Sequence, residues 1–306
     1  MTDTATVEET TPTTTQKKKP VHYEGNPAKA GWFTKVTLVI LCVLWVVPTL
    51  GLLVTSFRPL SDAESNGWWH IFYQPSTWGR LTFGNYTQAI DKAHMGQAFI
   101  NSLAITLPAT FIPILIASFA AYAFTFMEFK GRDFLFLAIV SLLVVPNYVA
   151  FVPILDIYQK LGVSGFPTVW LAHIGFGMSL AIYILRNYMA TLPKTVIESA
   201  KIDGASHFQT FYRLVLPMSV PALASFAIFQ FLWVWNDLLV ALVILGPGQD
   251  VAPVTVALRN NLLSQQGAGW NLVTAGGMIT MVVPIIVFLS LQRYFVRGLT
   301  AGAVKG

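Results

Sequence analysis

The chain has 306 residues, of which 55% are hydrophobic and only 11% are charged, and its mean hydropathy is +0.61. Because a soluble domain carries about 25% charged residues, this composition excludes a water-soluble protein and predicts one that resides in a lipid bilayer. The single cysteine, Cys42, excludes an intramolecular disulfide and a cysteine-based metal cluster. No phosphate loop of the GxxxxGK type occurs, so ATP, if it drives this protein, must bind to another chain.

The N-terminal residues are polar and rich in threonine, and they include a run of three lysines at 17–19. Such a composition cannot bury enough apolar surface to fold, so residues 1–32 are predicted to form a disordered cytoplasmic tail. Residues 33–306 are predicted to form the membrane domain. Binding of the lysine run to lipid is the alternative to a purely solvated tail.

A helix that crosses a membrane needs about 20 apolar residues. Six stretches of the sequence meet this requirement, which predicts an all-α membrane protein with six transmembrane helices. The predicted spans are 36–54, 100–126, 134–158, 168–184, 222–245 and 272–295. Small residues in the second and sixth spans predict close packing between helices; they are Ala117, Ser118, Ala121, Ala123, Gly276 and Thr280.

The distribution of lysine and arginine predicts the orientation of these spans, since cytoplasmic loops carry an excess of both residues. With the N-terminus in the cytoplasm, fourteen basic residues lie inside and five lie outside. The five outside are Arg58, Arg80, Lys92, Lys160 and Arg259. Six spans then place both termini in the cytoplasm, in a multi-pass protein of the cytoplasmic membrane. The formal charge of +5 is explained by topology, without nucleic acid as a partner.

Span three contains Pro146 and Pro153, so its helix is predicted to be kinked or interrupted, with carbonyl groups that need other partners. Asn147 is expected either to supply such a partner or to line a path for a solute. His173 in span four has no companion histidine, cysteine or carboxylate at a spacing suited to a metal, so a structural role is predicted for it. No metal site and no catalytic motif is predicted, and the chain is not expected to be an enzyme.

The loop of residues 190–217, predicted to be cytoplasmic, carries several helix signals. Pro193 suits the first turn of a helix, and Gly204 suits its left-handed C-terminal stop. Ser206 followed by Gln209 forms a capping box that opens a second helix. The loop is therefore predicted to be a short helix, a sharp turn and another helix, either as a solvated connector or as a surface for another protein.

Span five carries Gln230, Trp233 and Asp237 at i, i+3 and i+7, which predicts that they share one helix face. A carboxylate inside a span usually faces a water-filled cavity or a partner. An aromatic ring beside an amide and a carboxylate would suit a sugar, so these residues are candidates for a substrate path. Asn236 lies on an adjacent face. The alternative is that Asp237 lies near the outer interface, where it caps a helix or pairs with a neighbouring subunit.

One segment of the 190–217 loop resembles a known motif. Glu198, Ser199 and Ala200 are followed after three residues by Gly204 and after nine more by Leu-Val-Leu-Pro at 214–217. This pattern resembles the EAA loop of ATP-binding-cassette importer permeases, with serine and leucine in place of the usual alanine and isoleucine. In that family a short helix docks into a cleft of the cytoplasmic ATPase. The resemblance implies an ATPase-coupling set that consists of Glu198, Ser199, Ala200, Asp203 and Gly204.

The resemblance covers nearly the whole chain after residue 33. Asn-Ser-Leu at 101–103, Trp-Asn-Asp at 235–237 and the ending at 292–306 are similar to the smaller, six-span permease of maltose-type importers. In that family the C-terminal tail reaches the ATPase interface. The resemblance therefore implies a second contact, formed by Gly302, Ala303, Val304, Lys305 and Gly306.

The sequence at 56–59, 67–69 and 229–235 is more similar still to permeases of α-glucoside importers. The resemblance implies a permease subunit of an ATP-driven sugar importer that works by alternating access. Its expected partners are a second homologous permease, a pair of ATPase subunits that bind ATP and Mg²⁺, and an external sugar-binding protein. No cofactor is expected on this chain. Two alternatives are another polar cargo, such as a glycerol phosphate, and a self-sufficient secondary transporter.

Overall fold

The computed structural model describes residues 31–92, 94–246, 248, 250–263 and 269–303, with the side chains of Lys92 and of 294–303 left aside. Every regular element in these ranges is helical, in keeping with the predicted all-α fold. The α-helices are α1 (Trp32–Phe57), α2 (Leu60–Ser65), α3 (Gly84–Lys92), α4 (Met95–Phe126), α5 (Arg132–Ser141), α6 (Phe151–Leu161), α7 (Phe166–Met189), α8 (Lys194–Ile202), α9 (His207–Thr210), α10 (Leu216–Met218), α11 (Val220–Trp235), α12 (Leu239–Leu245), α13 (Val254–Ala257) and α14 (Trp270–Ala303).

The predicted tail 1–32 lies outside the described residues except for its last two positions. Trp32 already belongs to α1, one residue before the predicted start of the membrane domain. Four of the described helices, namely α1, α4, α7 and α14, are long and apolar enough to cross a membrane. Two bent helix pairs raise the number of spans to six if each pair is one span, which agrees with the predicted number.

The first bent pair is span three, where the segments Arg132–Val144 and Asn147–Leu161 meet at 97°. The interruption predicted from the two prolines is confirmed. Pro146 lies at the break itself, while Pro153 sits in the first turn of α6, where its missing N–H is tolerated.

The second bent pair joins His207–Met218 to Val220–Trp235 at 71°. The single continuous span predicted over 222–245 is wrong, because α11 ends at Trp235 and α12 begins only at Leu239. The residues between the two helices, which include Asp237, are an irregular segment.

The bundle is built on the packing of α4 along α7, with α11 against both α4 and α14. Ala117 and Ala121 of α4 are fully buried and share one apolar cluster with Ala181 of α7. In α14, a Cβ on Gly276 would lie 2.6 Å from a methyl group of Leu262, so a larger residue there would force this side chain to shift. The predicted close packing at the small residues is confirmed, as expected where dispersion contacts replace the hydrophobic effect between helices.

A proline within α4 frees a backbone carbonyl that another helix satisfies. Pro113 has no N–H, so the carbonyl of Ala109, four residues earlier, loses its helical donor. The side-chain amide of Gln230 on α11 donates to this carbonyl at 3.1 Å and to the carbonyl of His173 on α7 at 3.2 Å. Because Gln230 is fully buried, this one side chain joins three helices inside the bundle.

Two tryptophans likewise donate to carbonyls that have lost their helical donor to a proline. The carbonyl of Ala104, four residues before Pro108 of α4, accepts the indole N–H of Trp170 at 3.0 Å. The carbonyl of Thr280, four residues before the proline of α14, accepts the indole N–H of Trp235 at 3.0 Å. Polar donors therefore bind across helices at the points where a proline interrupts the backbone bonding.

The segment between α1 and α4 is held together by side-chain hydrogen bonds and an ion pair, and one of these bonds reaches α14. Arg58 donates to the carbonyl of Asp62 at 2.6 Å, and the carboxylate of Asp62 pairs with Arg80 at 3.0 Å. Asn85 donates to the carbonyl of Arg58 and accepts from Asn271 of α14. Burial lowers the pKa of the Arg58 guanidinium, and the opposing charge of Asp62 offsets only part of this effect.

Candidate coupling surface and transport cavity

Helix α8 is the short helix predicted from the 190–217 loop. Pro193 precedes its first residue as the N-cap, one position before the predicted place in the first turn. At the other end Gly204 has a φ of +79°, and its N–H donates to the carbonyl of Lys201 at 3.1 Å. The N–H of Ala205 donates to the carbonyl of Ala200 at 2.9 Å, which completes a Schellman motif. The predicted left-handed stop is confirmed.

The predicted capping box is also present. The hydroxyl of Ser206 accepts the N–H of Gln209 at 3.2 Å, and the side chain of Gln209 accepts the N–H of Ser206 at 2.8 Å. Helix α9 follows and continues through a π-helical turn, Phe211–Val215, into α10. π-Helical turns are rare overall, but those that occur are often found at functional sites. Here the turn lies near the end of the 190–217 loop, shortly before the bend that precedes α11.

One face of α8 and α9 is packed onto the spans. Ile197 of α8 belongs to the apolar cluster that also contains the ends of α4 and α7, and Ala200 is buried as well. Phe211 lies 4.5 Å from Phe119 of α4, measured between ring centroids. The hydroxyl of Tyr122 lies 3.1 Å from Nδ1 of His207 at the start of α9. Close-packed contacts of this kind connect the segment from α8 to the π-helical turn with α4 and α7.

The opposite face is exposed and carries both polar and apolar side chains. Glu198, Ser199, Asp203 and Gly204 of the predicted coupling set are exposed, whereas Ala200 faces the bundle. Three large apolar side chains are exposed beside them: Ile202 is 85% exposed, Phe208 65% and Tyr212 62%. The rings of Phe208 and Tyr212 are stacked at an interplanar angle of 5°. An exposed apolar patch next to polar residues is typical of a protein-binding surface. The exposed side chains between residues 198 and 212 are named the candidate coupling surface, or coupling surface for short.

The second predicted contact involves the end of the chain. Gly302 and Ala303 belong to the last turn of α14. Val304, Lys305 and Gly306 lie outside the described residues, so the predicted ATPase contact of this tail stays a prediction.

A cavity of about 330 Å³ lies between the break in span three and the helices α7 and α11. Asn147 and Trp233, two of the candidate path residues, line it together with Ser179, Phe176 and Phe229. The side chain of Asn147 makes no hydrogen bond to any other described residue. Its predicted role as a partner for freed carbonyls is therefore not observed, and it faces the cavity instead.

Trp233 provides the aromatic wall of this cavity. Its ring meets the ring of His173 edge to face, with 6.3 Å between the centroids, and meets Phe229 at 6.2 Å. The indole N–H of Trp233 has no hydrogen-bond acceptor among the described residues. An aromatic face, a free indole N–H and the amide of Asn147 are groups that can stack on and hydrogen-bond to a sugar ring.

The other candidate path residues have structural partners. Gln230 is buried and bonded to two backbone carbonyls, and Asn236 donates to the carbonyl of Leu232 at 2.8 Å. The prediction that Asp237 shares a helix face with Gln230 and Trp233 is wrong, because the helix ends at Trp235.

Asp237 instead caps α12. Its two carboxylate oxygens accept the N–H of Val240 at 3.3 Å and that of Ala241 at 3.0 Å. One oxygen also lies 3.7 Å from Nε2 of His173, which is fully buried. His173 lies in α7 and Asp237 in the irregular segment between α11 and α12, 64 positions later in the chain. No local spacing could have revealed this pair.

The family is decided by a match that covers most of the membrane region. Residues 113–301 match the model of the binding-protein-dependent transport system inner membrane component. The chain belongs to this family. The matched range contains the breaks in spans three and five, the coupling surface and the cavity. The predicted family and the predicted location in the inner membrane are confirmed.

Two curated relatives match the permease over most of its length. It is 53% identical to the osmoprotective compounds uptake permease GgtD of Synechocystis over 271 residues, which are 88% of this chain and 91% of the relative. It is 51% identical to the α-glucoside transport permease AglG of Rhizobium meliloti, over 82% of this chain and 68% of the relative.

A solved structure has the same fold. A bacterial ABC transporter that imports the acidic polysaccharide alginate contains a chain that superposes on the permease with a TM-score of 0.68. The superposition covers 86% of the permease and 96% of that chain, at 19% sequence identity. At this identity the likeness concerns the fold, and it agrees with the predicted importer-permease architecture.

Proposed function

We propose that the permease conducts a neutral sugar of the α-glucoside class and that separate ATPase subunits drive it through the outer face of α8. The observation that carries this proposal is the two-sided construction of α8. Ile197 attaches it to the apolar cluster at the ends of α4 and α7, while Ser199 and Ile202 are exposed. A partner that pushes on the exposed side would displace the spans. The partner set is completed by a second permease and an external binding protein.

The lining of the cavity supports a neutral polyhydroxylated cargo. Asn147, Ser179 and Trp233 offer an amide, a hydroxyl and an indole face, and no described residue of the lining is charged. An anionic cargo such as a glycerol phosphate would require cationic partners there, since desolvation of an unpaired charge is costly. The 51% identity to an α-glucoside permease points in the same direction.

A second candidate cargo is an osmoprotective compound. It is favoured by the 53% identity to the osmoprotective compounds uptake permease GgtD. Both candidates would use the same ATP-driven mechanism and differ in the cargo.

The direct test is uptake into proteoliposomes that contain the assembled importer with saturating external binding protein and ATP inside. We expect uptake of maltose or trehalose and none of glycerol 3-phosphate or of the β-linked disaccharide cellobiose. Trp233→Ala should lower the maximal rate roughly tenfold, which corresponds to about 1.4 kcal/mol.

The matched control is Phe134→Ala, which removes an aromatic ring that is 78% exposed and lies outside the cavity. It should transport at the rate of the unmodified protein. Equal rates in both variants would remove Trp233 from the path. Uptake of an osmoprotectant without uptake of disaccharides would replace the first cargo by the second, and uptake without ATP would overturn the proposed drive.

A further inference from the structure

A second cavity, of about 340 Å³, lies where α4 and α7 end, α5 begins and α8 packs against them. Four cationic side chains line it, from three different helices: Arg132, Arg186, Lys194 and Lys201. The lining also contains one carboxylate, Glu198, so its formal charge is four minus one, or +3. None of these four cations lines the transport cavity or belongs to the predicted coupling set.

The positive charge is not neutralised by the described part of the chain. Arg132 pairs only with Asp133, whose side chain is 85% exposed and therefore well hydrated. Neither Lys194 nor Lys201 has an ion pair there, and Glu198 has no cation within 4 Å. A concave site with several unneutralised cations attracts an anion, because its low-dielectric walls concentrate the field.

Arg186 holds donors ready inside the site. Its guanidinium carbon lies over the ring of Phe136, 4.9 Å from the ring centre, in a cation–π contact. Its Nε is buried without a hydrogen-bond acceptor, and one Nη reaches Asn187 only at 3.4 Å. Since a buried guanidinium donor without an acceptor is costly, an incoming anion that accepts from Arg186 would be bound favourably.

We propose that this cavity binds the phosphate group of an anionic phospholipid. Arginine and lysine together are the side chains that recognise phosphate. Besides Thr125 and the charged residues, the walls are apolar and include Phe124, Phe126 and Ile197, which suits the acyl chains of a lipid better than a free ion. Basic pockets between helices at the cytoplasmic side are typical sites for lipid headgroups. Inorganic phosphate shares the headgroup chemistry and is the other source of the same anion.

The bound phosphate would link α8 to the spans. Lys194 and Lys201 belong to α8, whereas Arg132 and Arg186 belong to α5 and α7. An anion held by both groups adds charge-assisted hydrogen bonds between the coupling surface and the bundle. The consequence for coupling rests on the proposed function, but binding of the phosphate does not.

The test uses the assembled importer in nanodiscs of phosphatidylcholine that contain a small fraction of photoreactive phosphatidylglycerol. After illumination, peptides that carry the lipid are mapped by mass spectrometry. We expect labelling of the segments around 124–132 and 186–201. The double variant Arg132→Gln/Arg186→Gln should lose about tenfold in labelling, since two charge-assisted contacts are removed.

Two further variants separate the site from general effects. Lys194→Gln/Lys201→Gln changes only exposed positions of α8, so it tests the same cavity without disturbing the bundle, and it should also lose labelling. Lys130→Gln, an exposed cation next to the cavity but outside its lining, should label like the unmodified protein.

Each outcome decides the proposal. Selective labelling that excess inorganic phosphate does not displace supports the lipid, and displacement by phosphate supports the same site with the free anion as its ligand. Equal labelling by photoreactive phosphatidylcholine, or labelling that neither double variant lowers, overturns the proposal. Labelling that occurs only after the ATPase subunits are stripped away also overturns it, because an acidic side chain of the partner would then occupy the cavity.

Discussion

The coupling surface and the interior of the bundle are stabilised in opposite ways. In the segment from α8 to α9, each cap joins residues that are three to five positions apart, as at Gly204 and Ser206. In the interior, Gln230 donates to a carbonyl 121 positions away, and Trp170 to one 66 positions away. The geometry of the α8–α9 segment is therefore set by neighbouring residues, whereas the interior of the bundle is held by contacts between distant helices.

The largest expected effect is that of Gly204→Val, which changes the left-handed residue at the C-terminal end of α8. A β-branched residue at a φ of +79° is strained by about 1–3 kcal/mol, although no atom lies within 4 Å of the added Cβ. The end of α8 should therefore be distorted, and uptake should fall by at least about tenfold. The measurement is uptake in whole cells, normalised to the amount of permease in the membrane fraction.

The control for this variant is Gly204→Asn, since asparagine tolerates the left-handed conformation. It should retain most of the uptake. Normal uptake in Gly204→Val would remove the proposed coupling role from α8, and loss of the protein from the membrane would make the defect one of folding.

Gln230→Leu removes a contact between distant helices in the interior of the bundle. It leaves the Ala109 carbonyl without a donor, and an unsatisfied buried carbonyl costs about 1–3 kcal/mol. We expect a lower temperature of thermal unfolding in detergent, with unchanged selectivity among sugars. Asn236→Ala, which removes an exposed amide bonded within its own helix, should leave the unfolding temperature nearly unchanged. A change in selectivity at normal stability would return Gln230 to the substrate path.

Asp237 takes part in both kinds of contact. Its carboxylate caps the neighbouring helix α12, and it also lies close to His173 of α7, which is distant in the chain. Asp237→Ala removes the cap and should lower the free energy of unfolding by about 1 kcal/mol. Asp237→Asn keeps an oxygen that can cap, so its stability should lie near that of the unmodified protein. If Asp237→Asn folds normally and yet abolishes uptake, the negative charge itself is required, and a purely structural role of Asp237 is wrong.

The smallest effect is expected for Ser206→Ala at the capping box. Loss of the hydroxyl acceptor should cost about 0.5–1 kcal/mol, because the helix start is exposed to water. Uptake should decline only slightly. Ser206→Asp restores an acceptor and should recover the unfolding temperature, whereas an equal loss in both variants would mean that the hydroxyl contacts something other than the cap.

Much of the fold was predictable because it depends on composition and short spacing. The number of spans follows from apolar stretches of sufficient length, and the break at Pro146 follows from the chemistry of proline. The error in span five has the same origin. The apolar sequence around Asn236 and Asp237 looks continuous, but Asp237 is bonded to Val240 and Ala241 in place of their helical acceptors.

The candidate site was predictable in part. Asn147 and Trp233 were singled out by chemistry, yet only the tertiary structure brings them to one cavity and assigns Gln230 to a structural contact. The basic cavity was invisible in the sequence, since its arginines and lysines come from three helices.

The sequence by itself determined the membrane class, the number of spans and the local geometry of α8, because partition into lipid, glycine conformation and helix capping act within a few residues. The tertiary structure alone decided which carbonyls freed by prolines meet Gln230, Trp170 and Trp235, and which polar groups remain to face a cavity. The physical reason is that a hydrogen bond inside the bilayer must be satisfied by whatever donor packing brings near, and packing is a property of the whole bundle.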